Sequence, residues 1–344
     1  MKISVIIPVY KVEPYVRRCL ESVSQQSCEG FQIECIVVDD CSPDNSMDIA
    51  ESVIRENRNQ SVEFVVLHHD QNKGLCEARN TGIRAATGDY LFFIDSDDCI
   101  MENTFRDFMR YALSHPDVDV FMGSSLCVGV NTLTNEKITG TAAAQVILSD
   151  KHQMWQLLLR RRLDHHVWNK LIKRSVGVEN LFFEPGIIYE DIPWTYKLLT
   201  QITSILVFPE QTYIYELNPD SIIHTIENRS ASVISSFAFI CNYVLENPPA
   251  VNHKRVLFVA HQLFLLHWML FALDVRRKYG ADTSTDRRLS SVKRRMMAAA
   301  VGHGRLLLAL FMLTMFSPFN RLLRLRLFRS NVDRINKMVY KLSW

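Results

Sequence analysis

The first hundred residues alternate between two hydrophobic rhythms. Unbroken apolar and β-branched runs appear at "KISVIIPVY" (2–10), "QIECIVVDDCS" (32–42), "VEFVVLHHD" (62–70) and "DYLFFIDSDD" (89–98). Runs of that kind suit strands covered on both faces. Between them lie segments of helical period: about Tyr15–Gln26, "DNSMDIAESVIRENR" (44–58) after a cap-rich turn, and "GLCEARNTGIRAAT" (74–87), closed by Gly88. The alternation predicts an α/β fold, a mostly parallel sheet sandwiched by helices. Ligands of such sheets bind beyond the carboxyl ends of the strands. Pro8–Tyr10, Asp39–Asp40 and Asp95–Asp98 all fall there, so three strands deliver polar residues to one edge.

Residues 126–230 are less regular, with "VWNKLIKRS", "FFEPGIIYEDIPWTYKLL" and "ILVFPEQTYIYELNPDSIIHT" as the distinctive stretches. From about Ser230 the pattern turns helical. Val256–Leu273 is apolar apart from His261, Gln262 and His267. It reaches the lower limit of a membrane span, but its polar breaks and one missing charged flank favour a buried helix. Leu306–Phe316 is too short to cross a bilayer. The following "SPFNRLLRLRLFRS" alternates Arg321, Arg324 and Arg326 with Leu and Phe, which fits either an interfacial helix on anionic lipid or a packed helix with a solvated basic face.

Charge sharpens that division. The net charge of +2 hides a basic end: residues 276–344 hold 16 Lys/Arg against three Asp/Glu. Such a tail is expected to meet an anionic membrane surface through 305–344; nothing in the acidic body supports nucleic acid. With 48% hydrophobic and 22% charged residues over 344 positions, long disorder is excluded. The eight Cys form no C-x-x-C pair and sit in apolar surroundings, so they read as reduced, buried thiols. "MKISVIIPVYK" is too short for a signal peptide and reads as a first strand. The expected location is cytoplasmic, peripheral on the inner face of the cell membrane.

The chemistry concentrates in "GDYLFFIDSDDCI", where an apolar strand ends in Asp95, Asp97 and Asp98. Crowded carboxylates need a cation or several hydrogen-bond donors. No G-x-G-x-x-G follows the first strand, which disfavours a dinucleotide-dependent dehydrogenase. The same turn, "PVYKVEPY", has no glycine, which ranks a sugar nucleotidyltransferase low.

Four stretches, "ISVIIPVYKVEPYVRRCLESVSQQS", "CIVVDDCSPDNS", "NKGLCEARNTGIRAATGDYLFFIDSDD" and "YED", together resemble the family 2 glycosyltransferases of GT-A fold, over about residues 2–225. The resemblance implies an inverting, Mg²⁺- or Mn²⁺-dependent transfer of a sugar from a nucleotide-diphosphate donor, with a UDP-sugar favoured, to a hydroxyl of a glycan or lipid-linked acceptor in surface-polysaccharide synthesis. Residues 1–230 would form the GT-A domain, with nucleotide-sugar binding in about 1–125 and the acceptor part in about 126–230. Residues 231–344 would form a helical basic region. Two positions depart from the family pattern: Lys11 stands for the usual Asn, and Cys41 for the usual Gly.

Set on that resemblance, the residues take expected roles. Asp97 and Asp98 hold the metal, with His224 as a third ligand, a diphosphate donor or a structural residue. Asp95 orients them or meets the ribose, beside Ser96. Pro8, Val9 and Tyr10 end the first strand, and Tyr10 either stacks on a base or packs in the core. Of Asp39 and Asp40, one is expected to meet the base imide and the other to cap the "SPDNS" turn. Gly74 lets backbone approach the nucleotide, and Lys73 and Arg79 offer cations to diphosphate. Arg79 is also placed to pair with a strand-end acid. Asp191 matches the base that takes the acceptor proton, with Glu190 in reserve; both also suit a helix start. Trp168 offers a sugar platform or packs in the core, and Lys170 is counted with the acceptor part. A catalytically silent glycan-binding or scaffold relative is the competing reading.

Overall fold

The computed structural model describes residues 1–128, 146–159, 163–177, 180–218, 230–248, 254–280 and 283–302. His224 and the arginine-rich stretch beyond 302 lie outside them. The opening alternation forms as expected: β1 (Lys2–Val9), α1 (Val16–Ser24), β2 (Gln32–Asp39), α2 (Ser46–Glu56), β3 (Val62–His68), α3 (Leu75–Ala85) and β4 (Tyr90–Phe93). Then come β5 (Cys99–Ile100), α4 (Thr104–Ser114), β6 (Val120–Val128), β7 (Val146–Leu148), α5 (Lys151–Leu159), β8 (Lys170–Lys173), α6 (Asp191–Gln201) and β9 (Ile205–Glu216).

These strands build one sheet in the order β3-β2-β1-β4-β8-β6-β9-β5, with β7 also pairing with β9. The β3-β2-β1-β4 half is wholly parallel. Strand β8 inserts antiparallel to both β4 and β6, and β6 and β9 run parallel. The sheet is therefore mixed, with parallel pairing dominant along its length. The strands end in register: Val9 faces Asp39, and Asp39 faces His68. That register brings Tyr10 and Asp39–Asp40 to one edge.

β1 is buried on both faces, which explains its unbroken apolar run. On one side Val5, Val37 and Phe92 join Leu20, Phe105 and Phe108 in the main core. On the other, α3 packs so closely that a Cβ on Gly82 would sit 2.4 Å from Ile6 Cγ2. One acid is spent inside the sheet. Glu34 accepts hydrogen bonds from Ser4 Oγ, Thr87 N, Thr87 Oγ1 and Gly88 N, and pairs with Lys2 at 2.6 Å. Burial alone would raise its carboxyl, but these donors outweigh it and bring it down to about 2.

The described residues divide into two compact units. The first, 1–151, 163–186 and 190–221, carries the sheet. The second comprises 152–162, 187–189 and the residues from 222 onward. It contains most of α5 with α7 (Ser230–Glu246), α8 (Lys254–Tyr279) and α9 (Thr283–Gly302). Phe237 of α7 stacks on Trp268 of α8 at 5.2 Å, and Met269, Val292 and Met296 are buried. His261, one of the polar breaks in the apolar run, gives its Nε2 a partner in the Val244 carbonyl at 2.9 Å, and burial lowers its pKa to about 4. No helix among the described residues is long and apolar enough to cross a membrane.

Among the described residues, four non-glycine positions have positive φ: Lys11 (53°), Cys41 (58°), Asn169 (59°) and Tyr189 (63°). Lys11 and Cys41 are the two departures from the family pattern. Asn and Gly tolerate the left-handed region; Lys and Cys enter it at a cost. Cys41→Gly is expected to raise the urea-unfolding free energy by about 0.5–1 kcal/mol, with Lys11→Asn moving the same way. A loss of stability in both would show that the turn conformations are not those described.

Candidate active site

The acidic triplet folds as a tight turn, in which Asp98 N donates to the Asp95 carbonyl at 2.9 Å. The turn points its three carboxylates in different directions. Asp98 is 1% exposed; its Oδ2 accepts from Tyr213 Oη at 2.7 Å and its Oδ1 from Glu216 N at 2.8 Å. Burial, Asp97 and Asp95 push its carboxyl well up. Asp98 thus ties the turn to β9. Asp97 stays partly open to solvent, touched by Asn218 Nδ2 at 3.0 Å. Burial and the neighbouring Asp95 raise its carboxyl too, since nothing nearby neutralises the pair fully. A crowded, oxygen-only, partly open acid of this kind fits a hard divalent cation. Ser96 is buried.

Arg79 explains where Asp95 points. Its guanidinium is 2% exposed and forks between two acids, with Nη2 2.5 Å from Asp95 Oδ1 and Nη1 2.5 Å from Glu190 Oε1. Burial would lower its pKa, but Asp95 and Glu190 outweigh that and hold the charge firmly. One cation therefore clamps the end of β4 to the start of α6. Phe183 lies under the guanidinium at 5.3 Å.

Asp191 opens α6. Its carboxyl is pushed up to about 7, first by burial and then by Glu190. Its Oδ1 is buried without a hydrogen-bond partner among the described residues, and its Oδ2 lies 3.7 Å from His165 Nε2. An acid held near neutrality with a vacant lone pair has the properties of a proton acceptor.

Several expected residues are structural. Asp40 is 2% exposed and accepts from Lys73 N (2.7 Å) and Gly74 N (2.8 Å), with His69 Nδ1 at 2.7 Å. Its oxygens hold the loop before α3. Asp39 remains partly open while accepting from Ser42 N at 2.9 Å, the turn-capping role, with His68 Nδ1 at 3.0 Å. Gly74 has φ 87° and open space above its Cα, which leaves the backbone approachable. Lys73 Nζ is half-exposed, 3.6 Å from Asp70. Tyr10 is exposed at the edge, while Pro8 and Val9 are buried and present only backbone.

Trp168 is 3% exposed and stacked between Tyr213 (4.4 Å, 9°) and His166 (4.5 Å, 9°). Both faces are taken, so it is a core residue and not a sugar platform. Lys170 is buried, donates to the His166 carbonyl, and lies near Asp164 and Asp191. Burial lowers its pKa. It supports the floor of the site and does not face an acceptor. Asp164, His165 and His166 were not singled out from the sequence, because adjacent histidines carry no recognised ligand spacing; the acid before them was the one available signal.

This sheet, with an acidic turn beyond a central strand and an acid pair at the start of a helix behind it, is the GT-A architecture. Residues 4–181 match the family described as Glycosyl transferase family 2, and the chain belongs to that family. It is 31% identical over 224 residues to the uncharacterized glycosyltransferase YibD of Escherichia coli (strain K12), covering 64% of this chain and 63% of that protein. The match therefore spans less than two thirds of that relative's length. It is 34% identical over 217 residues to the poly(ribitol-phosphate) beta-N-acetylglucosaminyltransferase TarS of Staphylococcus aureus (strain Mu50 / ATCC 700699), covering 62% of this chain and 35% of TarS. The solved structure of S. aureus TarS 1–349 in complex with UDP-GlcNAc superposes with a TM-score of 0.64 at 19% identity, covering 87% and 81% of the two chains. The mannosyltransferase PcManGT from Pyrobaculum calidifontis, solved with GDP-Man and Mn²⁺, gives 0.51 at 15% identity over 87% and 86%. These likenesses fix the fold.

The Arg79 clamp has a measurable signature. Arg79→Gln leaves two partly buried acids unmatched and is expected to cost about 2–4 kcal/mol of stability. Adding Glu190→Gln should restore part of it, with a coupling above about 1 kcal/mol in a urea double-mutant cycle. Simple additivity would show that the two side chains do not meet.

Proposed function

We propose that this chain transfers a sugar from a nucleotide-diphosphate donor, with a UDP-sugar favoured, to an acceptor hydroxyl with inversion of the anomeric centre. The observation that carries the reading is Asp191: a largely buried carboxylate raised to about 7, with a vacant inward oxygen, held beside the acidic turn through Glu190 and Arg79. Asp97 is the residue that would hold Mg²⁺ or Mn²⁺, with Asp95 beside it. When bound, that cation offsets the charge gathering on the departing nucleoside diphosphate.

This chain's own residues do the rest. Asp191 accepts the proton of the attacking hydroxyl, and Glu190, paired with Arg79, helps hold Asp191 at a useful basicity. Asp95 is kept from swinging into the donor by the same guanidinium. Gly74 and the exposed Tyr10 border the place for the nucleotide, with Asp39 the acid left for base contact. Inversion needs one displacement and no protein nucleophile. TarS, a UDP-GlcNAc-binding relative named for a poly(ribitol-phosphate) acceptor, supports a UDP-sugar donor and a surface-glycan acceptor. We place the reaction on the cytoplasmic side of the membrane, with the basic end of the chain near anionic lipid. The domain division expected at about residue 230 is kept as part of this reading.

Nucleotide sugars, UDP-GlcNAc and GDP-Man among them, are to be screened for Mn²⁺-dependent turnover. One donor should react, and Asp191→Asn should lower kcat between about a hundredfold and ten-thousandfold. Binding without turnover for every donor would favour the silent glycan-binding reading. The pH dependence has two opposite parts. The basic form of Asp191 fills as pH rises through about 7, so turnover should climb through that value and fall away in acid. The unfolded chain sheds the same proton near pH 4, so stability declines as pH rises from about 4 to 7. Asp191→Asn, uncharged throughout, should raise the thermal midpoint at pH 8 and change it little at pH 4.

A further inference from the structure

The Asp164–His165–His166 segment has no part in the transfer proposed above, yet it is pinned at every residue. Asp164 Oδ1 accepts from the His166 backbone N–H at 3.0 Å and lies 2.6 Å from His166 Nδ1. The His165 carbonyl accepts from Thr195 Oγ1 at 2.7 Å, one turn into the helix that Asp191 opens. Lys170 holds the His166 carbonyl, and Trp168 holds its ring. The two imidazoles stack on each other at 5.0 Å. As a result, one ligand atom from each of His165, His166 and Asp191 falls within 4.8 Å of the other two.

Ligands 2.0–2.2 Å from a tetrahedral metal lie about 3.3–3.5 Å apart, so side-chain shifts of about an ångström would close this set. Two imidazoles and a carboxylate suit zinc, cobalt or nickel, whereas magnesium and manganese prefer oxygen sets such as Asp97 offers. The charge also fits. Four carboxylates (Asp95, Asp164, Glu190 and Asp191) stand near two basic side chains, Arg79 and Lys170, the second with its charge disfavoured by burial. Asp164 and Asp191 each keep one buried oxygen without a hydrogen-bond partner among the described residues.

We propose that His165, His166 and Asp191 form a second metal site, for a borderline divalent transition metal of the zinc and cobalt class, separate from the oxygen site at Asp97. Asp164 is its outer partner, standing 2.6 Å from His166 Nδ1 as carboxylates stand behind metal-bound histidines. Occupation ties up the carboxylate of Asp191. Zinc at this place therefore stops transfer, a consequence that rests on Asp191 being the base.

The test uses the full, tag-free chain, stripped of metal and then held in excess Mg²⁺ to fill the oxygen site. One equivalent of Co²⁺ should give the intense visible bands of a low-coordinate site, displaced by one equivalent of Zn²⁺. The bands should persist in Asp97→Ala, vanish in His165→Gln and His166→Gln, and need about 10–100-fold more cobalt in Asp164→Asn. Zinc X-ray absorption of the unaltered chain should count two imidazoles, a reading that does not depend on any variant folding. Weak bands of aquated cobalt alone, a zinc shell without imidazole, or bands lost in Asp97→Ala and kept in the histidine variants would overturn the site. Zinc should also inhibit Mn²⁺-supported turnover, with the curve shifted at least tenfold in His166→Gln. Tight zinc binding that leaves turnover untouched would keep the site and remove Asp191 as the base.

Discussion

The arrangement depends on one buried guanidinium. A cation removed from water is tolerated only when opposite charges meet it with good geometry. Arg79 has two such partners, one at the end of β4 and one at the start of α6. The bridge therefore fixes distance between two segments that are far apart in sequence and joined by no direct strand pairing. Around it the acidic turn gains two further ties, through Tyr213 and Glu216 N to Asp98 and through Asn218 to Asp97, all from the last strand of the sheet and the residues just after it. Strand, helix and closing strand thus converge on four residues of turn.

Strain gathers in the same region. Among the described residues, three of the four non-glycine positions at positive φ adjoin this edge, Lys11 following Tyr10, Cys41 following Asp40 and Tyr189 preceding Glu190, while Asn169 lies between the buried Trp168 and Lys170. Such conformations persist only where surrounding contacts over-determine them, and functional edges are where they tend to collect. Asn169 shows how. Its side chain donates to the Gly123 carbonyl at 3.0 Å and accepts from Thr212 Oγ1 at 2.7 Å, so β6 and β9 hold its turn in place.

The parallel half of the sheet and its loaded edge were legible because β1, β2 and β4 are buried on both faces and therefore read as unbroken apolar runs. The direction of each carboxylate was not. Asp98 turns inward because its donors sit on β9, and Asp40 because its donors sit in the loop after β3; neither partner is adjacent in sequence. Trp168 was legible as an aromatic beside a motif, but its burial follows from β8 slotting between β4 and β6, and a four-residue antiparallel strand leaves almost no periodic trace. The paired histidines had no spacing to mark them and gain meaning only where Thr195 and Asp164 clamp them. Lys11 and Cys41 were visible as departures from the family pattern, while the backbone conformation that makes them costly belongs to the folded chain.

The insertion of β8 has a consequence during synthesis. The β3-β2-β1-β4 half has all its strands once Phe93 has been made. The open side of β4 must then wait for Lys170–Lys173 to cover it. At ordinary ribosome speeds that interval is roughly 4 to 15 seconds. Through it the nascent chain carries a bare row of backbone donors and acceptors on an apolar strand, a template for pairing with a neighbouring chain on the same message. Slow translation of the stretch between these strands would lengthen the exposure, and chaperone demand should peak there.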